Sequence, residues 1–143
     1  MTLEIIGVPR RRSYPPRVSA FTATFWEGLA HGRWMTTRCR ACESRTFPPK
    51  VVCPRCWSQE LEWTDMAVRG HLYSWTRIHA APTAFAPEAP YAVGVVDLED
   101  GLRLACRLIE PDDGAIAIGM AMEIIVLQYE DGPLFAARKR HGG

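Results

Sequence analysis

The 143-residue chain is 48% hydrophobic and has a net charge of +1, as expected for one ordinary globular domain, or for a small domain with a metal-stapled piece attached. No run approaches the roughly 20 apolar residues of a membrane helix. The basic cluster Arg10–Arg12 follows the first apolar stretch, the reverse order of a secretory signal. We therefore expect a cytoplasmic protein without membrane insertion, where clustered cysteines are more often metal ligands than disulfides.

Charge is distributed unevenly along the chain. Residues 33–56 carry six basic groups against the single carboxylate of Glu43, whereas residues 69–137 carry four arginines against ten carboxylates. The sequence therefore predicts a basic segment joined to an acidic body.

The N-terminal region combines an arm with a short helix. Residues 1–20 contain several prolines and no sustained hydrophobic period, which predicts an extended arm. Within a helical segment at residues 21–34, "TFWE" matches a capping box of Thr24 and Glu27, and the helix should end near Gly32. Two turns are too short to be stable alone in water, so this helix needs something to pack against.

Large aromatic rings are concentrated in the helical segment. Phe25, Trp26 and Trp34 cannot bury one another completely within so short a stretch. Either they pack on the body of the chain, or they bind a partner protein, where aromatic anchors tend to dominate the binding energy. We name these three residues as candidate partner-binding residues.

Four of the five cysteines lie in "CRACESRTFPPKVVCPRC", as two Cys-x-x-Cys pairs separated by ten residues. The candidate metal ligands are Cys39, Cys42, Cys53 and Cys56. Four thiolates form a closed tetrahedral set, which predicts a structural zinc in a ribbon at residues 35–62. An iron centre of rubredoxin type fits the same ligands, and a redox dithiol or a set of free core thiols would also account for the pattern.

The rest of the chain predicts a small barrel at residues 63–138, followed by a tail at residues 139–143. Residues 69–78 alternate in strand fashion, and two hairpins follow, with turns at "EDG" and at Asp131-Gly132. Five short, mostly antiparallel strands favour an OB-fold barrel, because closure removes exposed sheet edges. We therefore predict a mainly β protein with a short N-terminal helix, a zinc ribbon and a five-stranded OB barrel.

OB barrels often bind nucleic acid, which requires a basic groove with stacking aromatic side chains. Tyr73 and Trp75 could stack on bases, but the barrel segment is acidic and lacks charge to neutralise phosphates. A free-standing nucleic-acid-binding or regulatory OB protein is therefore the competing hypothesis, and we do not expect nucleic acid as a partner. The sequence also contains no recognisable triad order or glycine-rich phosphate loop, so we expect no autonomous catalysis.

The order of the motifs resembles the family of rubredoxin-like zinc-ribbon plus OB-fold proteins that accompany thiolases and related acyl-CoA enzymes. The resemblance covers roughly residues 20–137, through "FWEGLAHGRW", "TRCRACESRTFPPKVVCPRC", "LEW", "RGHLYSWTRIHAAP", "PYAVGVVDLEDGLRLACRL" and "IGMAMEI". It implies a non-catalytic accessory subunit in a hetero-oligomer with a thiolase-fold enzyme, either a thiolase or a side-chain aldolase. Hot-dog-fold enoyl-CoA hydratases are a further class of partner in that family.

The resemblance also implies that acyl-CoA is a candidate shared ligand. The adenosine end of coenzyme A is strongly anionic, and the ribbon is the most cationic part of the globular chain. We therefore name Arg38 and Arg40 as candidate contacts to the acyl-CoA phosphates. The alternative interpretation is that these arginines belong to a solvated basic face that keeps the ribbon soluble.

Overall fold

The structure, a computed structural model, describes residues 2–111 and 114–141, so residues 142 and 143 of the expected tail lie outside the described residues. Its one α-helix in this part of the chain, α1, spans Ala23–Ala30. The strands are β1 (Ile5–Gly7), β2 (Met35–Cys39), β3 (Arg45–Thr46), β4 (Leu61–Asp65), β5 (Arg69–Ile78), β6 (Tyr91–Leu98), β7 (Arg103–Ile109), β8 (Ala121–Tyr129) and β9 (Gly132–Lys139). The predicted mainly β fold with one short helix is confirmed. No helix among the described residues is long and apolar enough to cross a membrane.

Strands β5 to β9 form a closed five-stranded barrel. Their pairing order is β5-β6-β7-β9-β8, and β8 pairs back onto β5. Strands β7 and β9 are parallel, and the other barrel pairs are antiparallel. This closure confirms the predicted OB fold, since no barrel strand is left with an open edge along its whole length.

Both predicted hairpin turns lie where the sequence placed them. β6 ends at Leu98 and β7 begins at Arg103, so "EDG" forms the turn between them, with Gly101 at φ +90°. In the second hairpin Tyr129 pairs with Gly132, which leaves Glu130 and Asp131 as a two-residue loop. Short polar turns therefore set the register of both hairpins.

The N-terminal arm is extended, as predicted, but it is bound along the barrel. β1 adds to the barrel sheet as a parallel neighbour of β8, and the Leu3 side chain is buried. The Arg12 backbone N–H donates to Asp131 Oδ1 (2.8 Å), and its guanidinium donates to the Asp131 carbonyl oxygen (2.7 Å). These contacts hold the pKa of Asp131 below its ordinary value, chiefly through the Arg12 N–H.

Helix α1 begins two residues earlier than the proposed capping box, so that prediction was wrong. Thr22 is the N-cap residue, and Thr24 lies inside the helix, where its side chain does not cap the first turn. Ser19 and Thr22 instead exchange backbone-to-hydroxyl hydrogen bonds of 2.8 and 3.1 Å just before the helix. The competing Ser-x-x-Thr pair therefore fixes the entry of the chain. The helix ends as expected, with Gly32 at φ +80°.

One aromatic cluster connects helix, ribbon and barrel. It consists of Phe25 in α1, Trp34 before β2, Phe47 after β3 and Phe135 in β9, and all six pairs of ring centroids lie 5.1–6.1 Å apart. These spacings suit edge-to-face and tilted packing, which adds about 0.5–1.5 kcal/mol per pair beyond the burial of area. The ribbon is thereby packed against the barrel through side chains from separate parts of the sequence.

Gly70 gives a test of the barrel closure, because it pairs with both Leu98 in β6 and Met122 in β8. A Cβ added at Gly70 would clash with the backbone carbonyl of Asp97. We expect Gly70→Ala to lower the free energy of unfolding by about 1–3 kcal/mol, as overpacking generally does. Urea denaturation measures this change.

Gly7 in β1 supplies the matched control, because a Cβ added there has no atom within 4 Å. Gly7→Ala should leave the unfolding midpoint close to that of the unmodified chain. Equal midpoints for the two variants would contradict the close strand crossing at Gly70.

Candidate metal centre

The cysteine segment folds as a small three-stranded sheet that carries two tight turns. The strand order is β3-β2-β4, and β2 delivers Cys39 at its last position. We call the turn at residues 39–44 the first knuckle and the turn at residues 53–58 the second knuckle.

The two knuckles have the same backbone hydrogen bonds. In the first knuckle the Cys39 N–H donates to the Ser44 carbonyl oxygen (2.8 Å), and in the second the Cys53 N–H donates to that of Ser58 (2.9 Å). Each turn is therefore closed across its Cys-x-x-Cys pair, with both sulfurs on one side of the loop. This local repetition is what places four thiols around one point.

The four sulfurs lie close enough together to bind a single ion. All four ligand atoms are within 4.8 Å of one another. The Cys39 and Cys56 Sγ atoms are 3.5 Å apart, and those of Cys42 and Cys53 are 3.6 Å apart. A tetrahedral ZnS₄ site with Zn–S bonds near 2.3 Å has sulfur–sulfur edges of about 3.8 Å, so the donor set fits zinc. Four thiolates fill the coordination sphere, which makes the site structural.

Backbone amides prepare the thiols of the first knuckle to bind a cation. The Ser44 backbone lowers the pKa of Cys42 to about 6 by hydrogen bonding to its sulfur. The Cys42 N–H lies 3.5 Å from the Cys39 sulfur and lowers the pKa of Cys39. Metals bind thiolates, so amides directed at these sulfurs stabilise the form that coordinates zinc.

The fifth cysteine lies outside this cluster. Cys106 is in β7, opposite Gly94 of β6, and packs against the apolar core. Burial raises the pKa of its thiol to about 12. It therefore behaves as a small apolar side chain, as expected from its place in a strand pattern.

The arginines named for acyl-CoA phosphates are engaged by carboxylates in this structure. Arg38 Nη1 and Arg40 Nε lie 3.0 and 3.1 Å from the two oxygens of Glu62, and Arg38 also lies 3.0 Å from Glu43. Arg40 and Arg38 lower the pKa of Glu62 by these hydrogen bonds. The positive charge of the ribbon is therefore partly neutralised by residues beyond the second knuckle.

Two of the three rings named as partner-binding residues lie in the interior of this chain. Phe25 and Trp34 are 4% and 1% exposed, because the aromatic cluster encloses them, and this corrects the expectation that they are available to a partner. Trp26 is half-buried and lines an apolar groove of about 410 Å³ between α1 and the cis Phe47-Pro48 bend. Only Trp26 among the three keeps surface in this conformation, and its partner role stays a prediction.

A more exposed ring went unnoticed in the sequence. Trp57 follows the last cysteine and is 80% exposed, with a left-handed backbone at φ +67°. Its counterpart in the first knuckle, Glu43, has φ +65°. The sequence could have indicated this residue by its position. The residue after the second cysteine of each knuckle has a left-handed backbone, and tryptophan is unusual in that conformation.

Ribbon and barrel together define a zinc-ribbon plus OB-fold protein, and comparison with known proteins agrees. The rubredoxin-like zinc ribbon domain of ChsH2 matches residues 26–62, and the C-terminal OB-fold domain of ChsH2 matches residues 63–128. The chain belongs to this ChsH2, or DUF35, family. The resemblance seen in the sequence is thus confirmed.

Three relatives illustrate the family. A DUF35 domain-containing scaffold protein of Methanocaldococcus jannaschii is 31% identical over 97 residues, which are 66% of this chain and 69% of that protein. The benzoylsuccinyl-CoA thiolase subunit BbsA of Thauera aromatica is 31% identical over 96 residues, or 65% of each chain. A solved chain of the Ltp2-ChsH2(DUF35) aldolase is 31% identical with a TM-score of 0.75, covering 87% of this chain and 98% of that one.

The metal centre predicts a stoichiometry and a mutational contrast. Purified protein should contain about one zinc per chain by elemental analysis, and Cys39→Ser should reduce the zinc content and destabilise the ribbon, because a small ribbon depends on the metal for its fold. Cys106→Ser is the control, since it also removes one thiol but lies outside the cluster. Iron in place of zinc, or equal metal content in both variants, would contradict this assignment.

Proposed function

We propose that the chain is a non-catalytic, zinc-binding accessory subunit that stabilises a thiolase-fold acyl-CoA enzyme, either a thiolase or a side-chain aldolase. The observation that carries this proposal is the similarity to both a thiolase subunit and a chain of an aldolase complex. The similarity to the aldolase chain extends over 87% of this protein, so it includes the ribbon and the barrel together. A cytoplasmic location is a prediction that accompanies this role.

The junction of ribbon and barrel supports a scaffolding role. Arg45 of β3 pairs with Asp100 in the β6–β7 turn at 3.1 Å, and the Ala67 N–H donates to the same carboxylate at 2.8 Å. Together with the aromatic cluster, these contacts fix the ribbon on one side of the barrel. A pre-organised surface loses less conformational entropy on binding than a mobile one, so it suits a stable contact between subunits.

Binding of nucleic acid by the barrel is not favoured. The Arg103 guanidinium lies 3.7 Å from the ring centroid of Tyr73 and is also paired with Asp97. Arg77 lies 5.5 Å from the ring centroid of Trp75 and is paired with Glu110. Both rings and both arginines therefore already have intramolecular partners, although a stacking surface needs free rings beside free cations.

A contribution to acyl-CoA binding is a secondary proposal. Arg38 and Arg40 share the carboxylate of Glu62, and Arg38 also pairs with Glu43, so a phosphate has to compete with these two acids, although the Arg40 side chain is 66% exposed. Such an exposed pair can attract an anionic phosphate, with an effect that weakens as salt rises.

Co-expression tests the main proposal. We expect the chain to co-elute with a thiolase-fold subunit of its own genome, and the complex to melt at a higher temperature than that subunit alone, because a ligand of the native state stabilises it. A hot-dog-fold hydratase from the same genome is the comparison. Elution of the chain alone, or with the hydratase only, would count against a thiolase-fold partner.

Paired substitutions test the acyl-CoA contribution in the assembled complex. Changing Arg38 and Arg40 together to Ala should weaken acyl-CoA binding roughly two- to tenfold at low salt, and less at high salt, as expected for exposed ion pairs. Arg33→Ala is the control, since Arg33 is also an exposed cation, located just before the ribbon and 3.9 Å from Asp65. Unchanged affinity at both salt concentrations would remove these arginines from nucleotide binding.

A further inference from the structure

The two knuckles have the same backbone conformation and hydrogen bonds, but they expose different side chains to solvent. Glu43 and Trp57 occupy equivalent left-handed positions, and the backbone N–H of each donates to the carbonyl oxygen of the first cysteine of its knuckle, at 2.9 and 2.8 Å. Glu43 of the first knuckle forms an ion pair with Arg38 at 3.0 Å, so its charged side chain has a partner within the chain. Among the described residues, Trp57 has no such side-chain partner.

The backbone conformation and the exposed ring of Trp57 are both energetically unfavourable. A left-handed conformation costs an L-residue roughly 1–2 kcal/mol, and a bulky residue there is an outlier. Its ring is also 80% exposed, and no ring or guanidinium of the described residues stacks against it. Within the described parts of the chain, therefore, no contact of the ring compensates for these costs. Strained, exposed positions of this kind are often functional.

The residues around Trp57 form an apolar and cationic surface. We call five exposed residues of this turn and its approach the second-knuckle patch, namely Lys50, Val51, Pro54, Arg55 and Trp57; the candidate metal ligand Cys56 is exposed beside them. Val51 is 58% exposed. The patch thus combines apolar side chains with two cations, on the turn that carries Cys53 and Cys56 and on the segment just before it.

The two cations of the patch differ from the other basic residues of the ribbon. Arg38, Arg40 and Arg45 of the ribbon, and Arg33 just before it, all pair with carboxylates. In the part of the chain that the structure describes, no carboxylate lies within 4.0 Å of the Lys50 or Arg55 side chain. Lys50 and Arg55 are therefore the two cations of the ribbon without an ion pair among the described residues, although the exposed Glu60 follows the same knuckle.

We infer that the second-knuckle patch docks the chain on its partner enzyme, with Trp57 entering an apolar recess whose rim carries carboxylates opposite Lys50 and Arg55. This inference rests on the proposed function for the class of partner. The patch is the outer side of a turn, whereas small-molecule sites are concave, so a protein surface is the better fit. An aromatic anchor surrounded by polar groups is also the usual arrangement of a binding hot spot.

A pair of glycine substitutions isolates the contribution of the tryptophan ring. Trp57→Gly and Glu43→Gly each place glycine at a left-handed position, which glycine adopts without steric strain. Both variants should therefore keep the zinc content and the melting temperature at or above those of the unmodified chain. Only Trp57→Gly should weaken binding to the thiolase-fold subunit that co-purifies with the unmodified chain, by at least about 30-fold in calorimetry. Changing Lys50 and Arg55 to Ala should slow association at low salt and have less effect at high salt.

The outcomes separate this inference from the proposed function. Equal affinity of the two glycine variants for the co-purifying subunit overturns docking through Trp57 and leaves the accessory role intact. Failure of the unmodified chain to bind any thiolase-fold subunit overturns the proposed function and this inference together. Trp57-dependent sedimentation with vesicles of phosphatidylcholine and phosphatidylserine, without Trp57-dependent binding to the subunit, would assign the patch to an anionic membrane surface and also overturn it.

Discussion

Four sulfurs converging on one point constrain the ribbon, on which the packing of the neighbouring helix also depends. The ribbon strands are two to five residues long and cannot enclose an apolar core of their own. Binding of one zinc ion would fix the end of β2 at Cys39, and the start of β2 follows Trp34, which is buried in the aromatic cluster. The metal site and the cluster thus hold β2 from its two ends. Helix α1 and β9 then pack around the same rings.

In this arrangement the aromatic rings that stabilise the fold are different from the aromatic ring that is exposed to solvent. The rings of Phe25 and Trp34 are enclosed and hold the ribbon to the barrel, whereas Trp57 projects from a turn that the metal ligands shape. A small chain can therefore present a side chain at a defined position without a large core beneath it. Such pre-organisation lowers the entropy lost on association, which suits a protein whose family includes scaffold proteins and enzyme subunits.

Features with a local physical cause could be predicted from the sequence. The spacing of the cysteines, the turn at Asp131-Gly132 and the strand at residues 69–78 each depend on neighbouring residues, and each was confirmed. The alternation predicted within that strand holds only as far as Tyr73, because the register shifts between Leu72 and Ser74. Features that depend on distant partners could not. The pairing of Arg38 with Glu62 joins residues 24 positions apart, and burial of Phe25 requires Phe135. The helix start was missed because Thr22 and Thr24 both offer a hydroxyl near it, and the Thr22 hydroxyl bonds to Ser19 before the helix rather than capping its first turn.

Hydrogen exchange, with zinc bound and after its removal by a chelator, tests most directly the claim that one ion fixes the fold of the ribbon. With zinc bound, the amides of β2, both knuckles and α1 should be protected; after removal these amides should exchange rapidly, while strands β5 to β9 keep most of their protection. Amides of β2 and the knuckles that exchange equally slowly with and without the metal would contradict the account.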